Sequence, residues 1–393
     1  MKSYWRNGNS VELLINGEQF FPQVFNSIRA AKREILIETY ILCEDEIGHQ
    51  LQRLLIEAAQ RGVRVNLVVD DYGTTYLSKQ FIRDLTESGV KLRIFDPAPR
   101  LLTFQLNLFR RLHRKLIVVD AREAFVGGIN FSVDHLTSTG DDTKQDYAVM
   151  VGGPIVQDIR TSCLKLIYGR KAKHLINTRS ANSNNGVGKV RMLLAVRDNI
   201  WHTKDIERHY LLAINTARKR VVIANAYFFP GYRLLRAIRR AAQRGVKVTL
   251  ILQGRPDMPW VSACSRLLYG YLLRKGVVIY EYCQRPLHGK IALADDKWVT
   301  IGSSNLDPLS LALNLEANLV IEDRNLNQQL FTHLKSLVKS FCRPINIKVA
   351  ERGYWWRLPL VFLSFYFLRS FPVIAGWFPA HAPEIQQLKP ANK

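Results

Sequence analysis

The sequence predicts an α/β fold built twice over: two homologous halves of alternating strands and helices, related by a pseudo-two-fold axis. Three observations lead there. Strand-like apolar runs alternate with amphipathic helical stretches along the chain. AAQRGVRVNLVV (58–69) recurs as AAQRGVKVTLIL (241–252). LHRKLIVVD (112–120) recurs as LHGKIALAD (287–295), and the two copies run on without a gap to Asn130 and Asn305. Repetition on this scale marks an internal duplication, and 393 residues that are 47% apolar supply material for two cores of ordinary size.

In chain order, ILIETYI (35–41) reads as a strand, and the helix that follows ends in LLIEAAQRG, where Gly62 is placed to terminate it. VRVNLVV (63–69) is the next strand. A helix over about 77–88 stops before Gly89, and VKLRIF (90–95) follows as a strand. The second half repeats the series with RVVIANAYFF (220–229), a helix ending AIRRAAQRG, and VKVTLIL (246–252). The polar segment 170–189 reads as a linker, dividing the chain into a domain over 1–169, a second over 190–345 and a tail over 346–393. NNGVGK (184–189) lacks the earlier glycine and the final hydroxyl residue of a phosphate loop, so nucleotide use is not implied.

Lysine and arginine exceed aspartate and glutamate by 23. Such an excess predicts attraction to polyanions, whether nucleic acid, an anionic membrane or phosphorylated substrates. Cys43, Cys163, Cys264, Cys283 and Cys342 are odd in number and never form C-x-x-C, which argues against a disulfide framework or a zinc site. A reducing compartment is expected. The amino-terminal stretch has no apolar run of signal-peptide length, and no export signal is read there.

The apolar, aromatic stretch 354–383 is different. Its longest charge-free run, Leu358 to Leu368, is short of the roughly 20 residues that a spanning helix needs. Arg369, Pro359, Pro372 and Pro379 interrupt it further. A segment lying in a membrane interface is expected, with Tyr354, Trp355, Trp356 and Trp377 at headgroup depth. The stretch 99–115, apolar and carrying Arg110, Arg111 and Arg114, is a second candidate contact with a bilayer.

The chemistry is carried by the repeated H-x-K-x-x-x-x-D pattern. On a strand, side chains two apart share a face, so His113 projects with Lys115, and His288 with Lys290. Each set is followed by a small-residue turn ending in asparagine, FVGGIN (125–130) and TIGSSN (300–305), which permits close approach to a ligand. If the halves face each other, two histidines, two lysines and two asparagines converge on one phosphodiester site. The lysines and the amides of Asn130 and Asn305 then hold the non-bridging oxygens. One neutral histidine attacks phosphorus while the other, protonated, serves the leaving alkoxide.

Both sets resemble the signature of the phospholipase D superfamily, including its following G-G/S-x-N element, over most of residues 1–345. GSSNLDPLSLALNLEANLVI (302–321), IANAYFFPGYR (223–233) and KQDYAV (144–149) are similar to bacterial cardiolipin synthases of the B type. The resemblance implies two phospholipase D-like α/β/α sandwich domains. It implies catalytic sets of His113, Lys115 and Asp120 and of His288, Lys290 and Asp295, in which the two aspartates are structural members. Asp146 and Glu316 would orient His288 or His113, and His113 is favoured as nucleophile with His288 as acid.

The expected activity is transfer of a phosphatidyl group between two phosphatidylglycerols, giving cardiolipin and glycerol, in a narrow lipid-lined cleft that excludes water. No cofactor or metal is called for. The expected partners are phosphatidylglycerol and an anionic membrane surface, not nucleic acid, with the protein peripheral or monotopic on the cytoplasmic face of the bacterial inner membrane. A hydrolytic phospholipase D, a transphosphatidylase with another donor headgroup, and a nuclease of the same superfamily are the alternatives.

Overall fold

The computed structural model describes residues 4–97, 110–177, 187–350 and 384–388, apart from positions 75 and 258, together with scattered positions within 100–105 and 359–370. Most of the stretches 99–109 and 354–383, and the middle of the expected linker, lie outside the described residues.

In the first half, β1 (Arg6–Ile15) leads through α1 (Asn16–Ala30) to β2 (Glu34–Thr39), and α2 (Glu46–Gln60) to β3 (Arg64–Asp70). α3 (Lys79–Glu87) precedes β4 (Lys91–Phe95), and a short pair, β5 (Arg100–Leu101) and β6 (Phe104–Gln105), stands apart from the main sheet. β7 (Leu116–Val119), β8 (Glu123–Gly127) and β9 (Tyr147–Gly152) follow, then α4 (Ile155–Tyr168). The stretch read as a linker starts as helix, α5 (Ala172–Asn177), with Ala172 buried.

The second half repeats the plan with β10 (Val190–Arg197), α6 (Asp205–Thr216), β11 (Arg220–Asn225), α7 (Tyr232–Gln243), β12 (Lys247–Gln253) and β13 (Val278–Tyr282). β14 (Lys290–Ala294), β15 (Trp298–Gly302) and β16 (Glu316–Glu322) complete it. β17 (Cys342–Pro344) and β18 (Ile385–Gln387) are short additions.

All but β5 and β6 join one sheet in the order β17-β13-β12-β11-β14-β15-β16-β10-β1-β9-β8-β7-β2-β3-β4-β18. Outward from the β10–β1 seam, the strand order of one half is repeated by the other. β2, β3 and β4 run parallel, as do β11, β12 and β13, while the strands nearer the seam are antiparallel.

The halves therefore meet edge to edge and not face to face. β1 and β10 would each expose a row of unpaired backbone groups if the halves were separate, and their pairing removes both edges. The seam is irregular, with a register shift between Arg6 and Asn9. Buried Asn9 fills the gap: its amide donates to the carbonyls of Arg6 and Val190, and its Oδ1 accepts from the Ile155 amide at the start of α4.

Packing divides the same way. α1, α2 and α3 cover one face of the first half around Phe21, Phe25, Leu55 and Phe81, and α6 and α7 cover the corresponding face of the second around Tyr210, Leu234 and Ile238. The opposite face carries a single core common to both halves. In it Ile155, Ile159 and Leu164 of α4 and Leu330 and Leu334 of the helix Arg324–Phe341 pack on strands from either side of the seam. The result is an α/β/α sandwich with one layer shared, which holds the two halves in fixed register.

Candidate active site

The two histidines sit at one end of this sheet, each just before a strand. Cross-half pairing of the backbone places them. The His113 amide donates to the Leu315 carbonyl at 3.0 Å, and the Leu315 amide donates to Arg111 O. At the related position, His288 N–H donates to Gln145 O at 2.8 Å, and the Gln145 amide donates to Pro286 O. Each histidine is thereby pinned beside the residue that precedes the other half's acid.

Those acids complete the pairs. His113 Nδ1 lies 2.9 Å and 3.1 Å from the two carboxylate oxygens of Glu316, and His288 Nδ1 lies 2.6 Å from Asp146 Oδ2. The resemblance left open which acid serves which histidine; the geometry pairs each histidine with the acid of the opposite half. Both carboxylates are wholly buried. With Nδ1 donating to a carboxylate, each imidazole keeps its Nε2 lone pair free for chemistry.

Lys115 and Lys290 fold back onto the same pairs. Lys115 Nζ donates to the His113 carbonyl at 2.8 Å, and Lys290 Nζ donates to the His288 carbonyl. Both are buried, which pushes Lys115 down to about 7 and Lys290 down to about 8, against the pull of Glu316 and Asp146. Burial is also the main reason that both imidazoles are held below their usual value, and the lysines push them the same way. Charge on His113 opposes charge on His288, and Lys115 and Lys290 each act on both rings, so the two sets share one electrostatic site.

The approach to each histidine is braced from the second strand over in the sheet, beyond β2 in one half and β11 in the other. Asp70, at the end of β3, accepts from Arg111 through Nε and a terminal nitrogen at 2.9 Å and 2.6 Å, and from the Leu112 amide at 2.7 Å. In the second half Gln253, at the end of β12, donates to the Leu287 carbonyl at 2.7 Å. Arg114 meets Glu38 with two 2.7 Å hydrogen bonds in the interior. Tyr40 places its ring edge-on to His113, 5.1 Å between centroids.

Asp120 and Asp295 are not brought to the site. Each lies at the far end of the strand that its histidine precedes, in the left-handed region at φ 52° and 49°. Asp120 accepts from the amides of Lys32, Arg33 and Glu34, and Asp295 from those of Arg218, Lys219 and Arg220. They fix the entry to β2 and β11. The signature's aspartate marks the turn that closes the strand.

Asn130 and Asn305 are buried at the site end of the sheet. Asn130 Oδ1 accepts from the Ile41 amide at 3.2 Å, while Asn305 Oδ1 has no hydrogen-bond partner.

Sequence reasoning passed over His135, which is wholly buried against Asp146 with its ring 5.7 Å from that of His288. It follows Asn130 by five residues, but Ser310 stands at the matching place in the second half, so the duplication gave no signal. His135, Asp146 and His288 are also the group among the described residues with potential metal-ligand spacing, their ligand atoms lying within 4.8 Å of one another. The 2.6 Å contact between His288 and Asp146 is a hydrogen-bond distance, shorter than the ~3.3 Å between two ligands of a tetrahedral zinc with bonds of about 2.0 Å. Lys290 and Lys144 beside it further disfavour a cation. The cysteines are all free.

The chain matches the family model described as "Cardiolipin synthase, PLD-like domain" over residues 24–161 and 210–338. It is 50% identical over 392 residues to cardiolipin synthase B of Escherichia coli strain K12, covering 99% of this chain and 95% of that one. Identity to a cardiolipin synthase of Geobacillus sp. strain WCH70 is 32%, over 86% of this chain and 70% of that protein. Among solved structures, phosphatidylserine synthase of Haemophilus influenzae Rd KW20 superposes with a TM-score of 0.66 at 16% identity, covering 93% of this chain and 94% of the other; at that identity the likeness is one of fold. Taken with the crossed acid–histidine pairs, these matches show that the chain belongs to the cardiolipin synthase family of phospholipase D-like proteins.

Proposed function

We propose that this chain is a cardiolipin synthase that passes a phosphatidyl group from one phosphatidylglycerol to the hydroxyl of another and releases glycerol. The observation that carries the reading is the pair of imidazoles, each held by the other half's carboxylate within one electrostatic site. His113 Nε2 attacks phosphorus, forming a P–N bond as the P–O bond to glycerol breaks, and His288 gives its Nε2 proton to the departing oxygen. His288, now a base, takes the proton of the incoming lipid's hydroxyl. That oxygen attacks phosphorus, the P–N bond breaks, and both histidines are restored. One phosphodiester replaces another, so no energy source is needed.

Glu316 steadies the positive charge that His113 acquires on becoming a phosphohistidine. The anionic phosphodiester draws Lys115 and Lys290 back to their charged forms, since an opposite charge offsets the burial that depresses them. Asn130, whose oxygen is engaged by Ile41, turns its amide N–H groups to a non-bridging oxygen, and Asn305 does the same from the other half.

The substrate lies in a bilayer, and no helix among the described residues is long and apolar enough to cross one. We read the protein as bound to the surface of an anionic membrane, on the cytoplasmic face of the bacterial inner membrane. Ile200 and Trp201 are 70% and 81% exposed in the loop after β10, whose last residue, Arg197, pairs in register with Glu316. Asp198 holds this tip rigid by accepting from the amides of Ile200, Trp201 and His202. Exposed Lys204 and Arg208 stand close behind. Asp205 and Glu207 share that first turn of α6, so what suits the tip to a bilayer interface is its exposed aromatic and apolar pair, while the attraction to an anionic surface comes from the chain's overall excess of 23 positive charges.

The test is incubation of the purified protein with phosphatidylglycerol vesicles labelled in the headgroup glycerol and the acyl chains. Cardiolipin and free glycerol are expected in equal amounts, with both lost in His113→Ala and in His288→Ala. Phosphatidic acid as the main product makes the protein a hydrolase, and DNA cleavage without lipid turnover makes it a nuclease.

A further inference from the structure

The two acid–imidazole pairs match in position but differ in what stands behind the carboxylate. Behind Glu316 is Ser303, whose hydroxyl donates to Oε2 while its oxygen accepts from the Ala317 amide at 3.1 Å. The first half has Gly128 at the position of Ser303, each two residues before its asparagine. A Cβ on Gly128 would lie 2.4 Å from Asp146 Oδ1, so no side chain can reach Asp146 from there.

His135 stands in that role instead. The Asn130 backbone N–H lies 3.2 Å from its Nε2. A backbone amide only donates, so Nε2 carries the lone pair and the proton sits on Nδ1. Nδ1 is buried with no hydrogen-bond partner, and Asp146 Oδ2 faces it at 3.7 Å. This is the oxygen that His288 Nδ1 reaches at 2.6 Å. An unmatched buried donor costs about 1–3 kcal/mol, so its retention beside a reacting pair calls for a reason. The second half has no counterpart: Ser310 gives its amide and hydroxyl to the Asp307 carboxylate.

We propose that His135 is a positioning residue acting through Asp146: it divides that carboxylate between two imidazoles and makes His288 the readier proton donor of the two catalytic histidines. The assignment rests on the two-histidine transfer proposed above. Ser303 donates only to Oε2 of Glu316, which leaves His113 the Oε1 contact at 2.9 Å to itself, whereas the one Asp146 oxygen that His288 reaches is the oxygen His135 faces. The charged and titratable groups that act on His288 are Asp146, Lys290, Lys144, Lys115 and His113, with His135 behind the carboxylate. Ser303 behind one carboxylate and His135 behind the other make the two pairs unequal, and that asymmetry gives the doubled site a direction.

Two substitutions in the full chain separate the contacts. His135→Gln places an amide oxygen where Nε2 was, so the Asn130 contact survives and the donor toward Asp146 is lost. His135→Asn keeps a donor near Nδ1 and loses the Asn130 contact. In His135→Gln, the alkaline limb of kcat/KM for phosphatidylglycerol is expected to move up by about half a pH unit, the scale of one weak hydrogen bond, with kcat down about tenfold and KM little changed. His135→Asn is expected to keep the limb of the unsubstituted protein. Equal displacement in both variants, or slower turnover in both with the limb unmoved, overturns the proposal in favour of a packing role. Should His135→Gln fail to fold, His135→Ala takes its place beside His135→Asn: a limb displaced upward in His135→Ala alone supports the proposal, and an unmoved limb in His135→Ala overturns it. If the unsubstituted protein makes no cardiolipin, the transfer reading fails by itself. The His288 titration, followed by NMR of ¹⁵N-histidine-labelled protein, then judges the coupling by the same shift.

Discussion

His113 Nδ1 rests between the two carboxylate oxygens of Glu316, at 2.9 Å and 3.1 Å, across a sequence separation of 203 residues. Glu316→Gln preserves size and removes charge. Phosphatidyl transfer is expected to fall about 10²–10³-fold, as for loss of one electrostatic contact made in the transition state, with KM little changed. Steady-state kinetics on phosphatidylglycerol vesicles checks it, and activity within a factor of two of the unsubstituted protein would contradict the role given to Glu316.

Gly128 is the close approach on which the other pair depends. A methyl group there meets Asp146 Oδ1 at 2.4 Å and Oδ2 at 2.9 Å, and must displace the carboxylate from His288. Gly128→Ala is expected to lower kcat at least tenfold. Gly152→Ala, whose added Cβ meets the Ser10 hydroxyl at 2.9 Å far from the histidines, is the comparison for general strain.

The buried lysines predict a pH dependence with a definite sign. Lys115 is charged in the folded chain only below about 7, and Lys290 only below about 8. Between there and the ordinary lysine range, the unfolded chain holds more protons than the folded one, so stability from these groups rises with pH and is lost as pH falls through the folded values. Urea denaturation at pH 7 and pH 9 should show the unsubstituted protein gaining on Lys115→Met by about 2 kcal/mol at the higher pH. A constant difference would mean that Lys115 is not depressed.

Asp70→Ala removes the acceptor of the Arg111 guanidinium and of the Leu112 amide together. An uncompensated buried guanidinium costs about 3 kcal/mol, softened here by Asp96 at 4.0 Å. The denaturation midpoint reports the loss. Activity should fall further than stability explains, because the Leu112 amide immediately precedes His113.

Joint replacement of Ile200 by Ser and Trp201 by Ala is expected to weaken binding to anionic vesicles about tenfold, or about 1.4 kcal/mol. Co-sedimentation at fixed ionic strength measures it. Unchanged binding would move the membrane contact elsewhere on the surface.

Much of this site was legible in the sequence because duplication turns a weak signal into a strong one. A single His-x-Lys before a strand is ordinary polarity; His113 with Lys115 and His288 with Lys290, in matching frames, are not. The boundaries of β2, β3, β11 and β12 follow from apolar periodicity to within a few residues. What escaped has no periodic signature and no copy. His135 is one buried histidine without a counterpart, and the Asp70–Arg111 contact joins the end of one strand to the approach to another. Asp120 and Asp295 were visible but ambiguous, since a carboxylate at a strand end looks the same in sequence whether it faces substrate or three backbone amides.

The sequence by itself determined that there are two equivalent α/β units, and that each carries a histidine and a lysine in the same frame before a strand. Those follow from local periodicity and internal repetition, which are properties of neighbouring residues. Only the tertiary structure decided that the halves join edge to edge through β1 and β10, that His113 takes Glu316 while His288 takes Asp146, and that the lysines are buried deeply enough to lose their ordinary basicity. Pairing across more than 140 positions and exclusion of water depend on where distant segments come to rest, and no local pattern of residues encodes that.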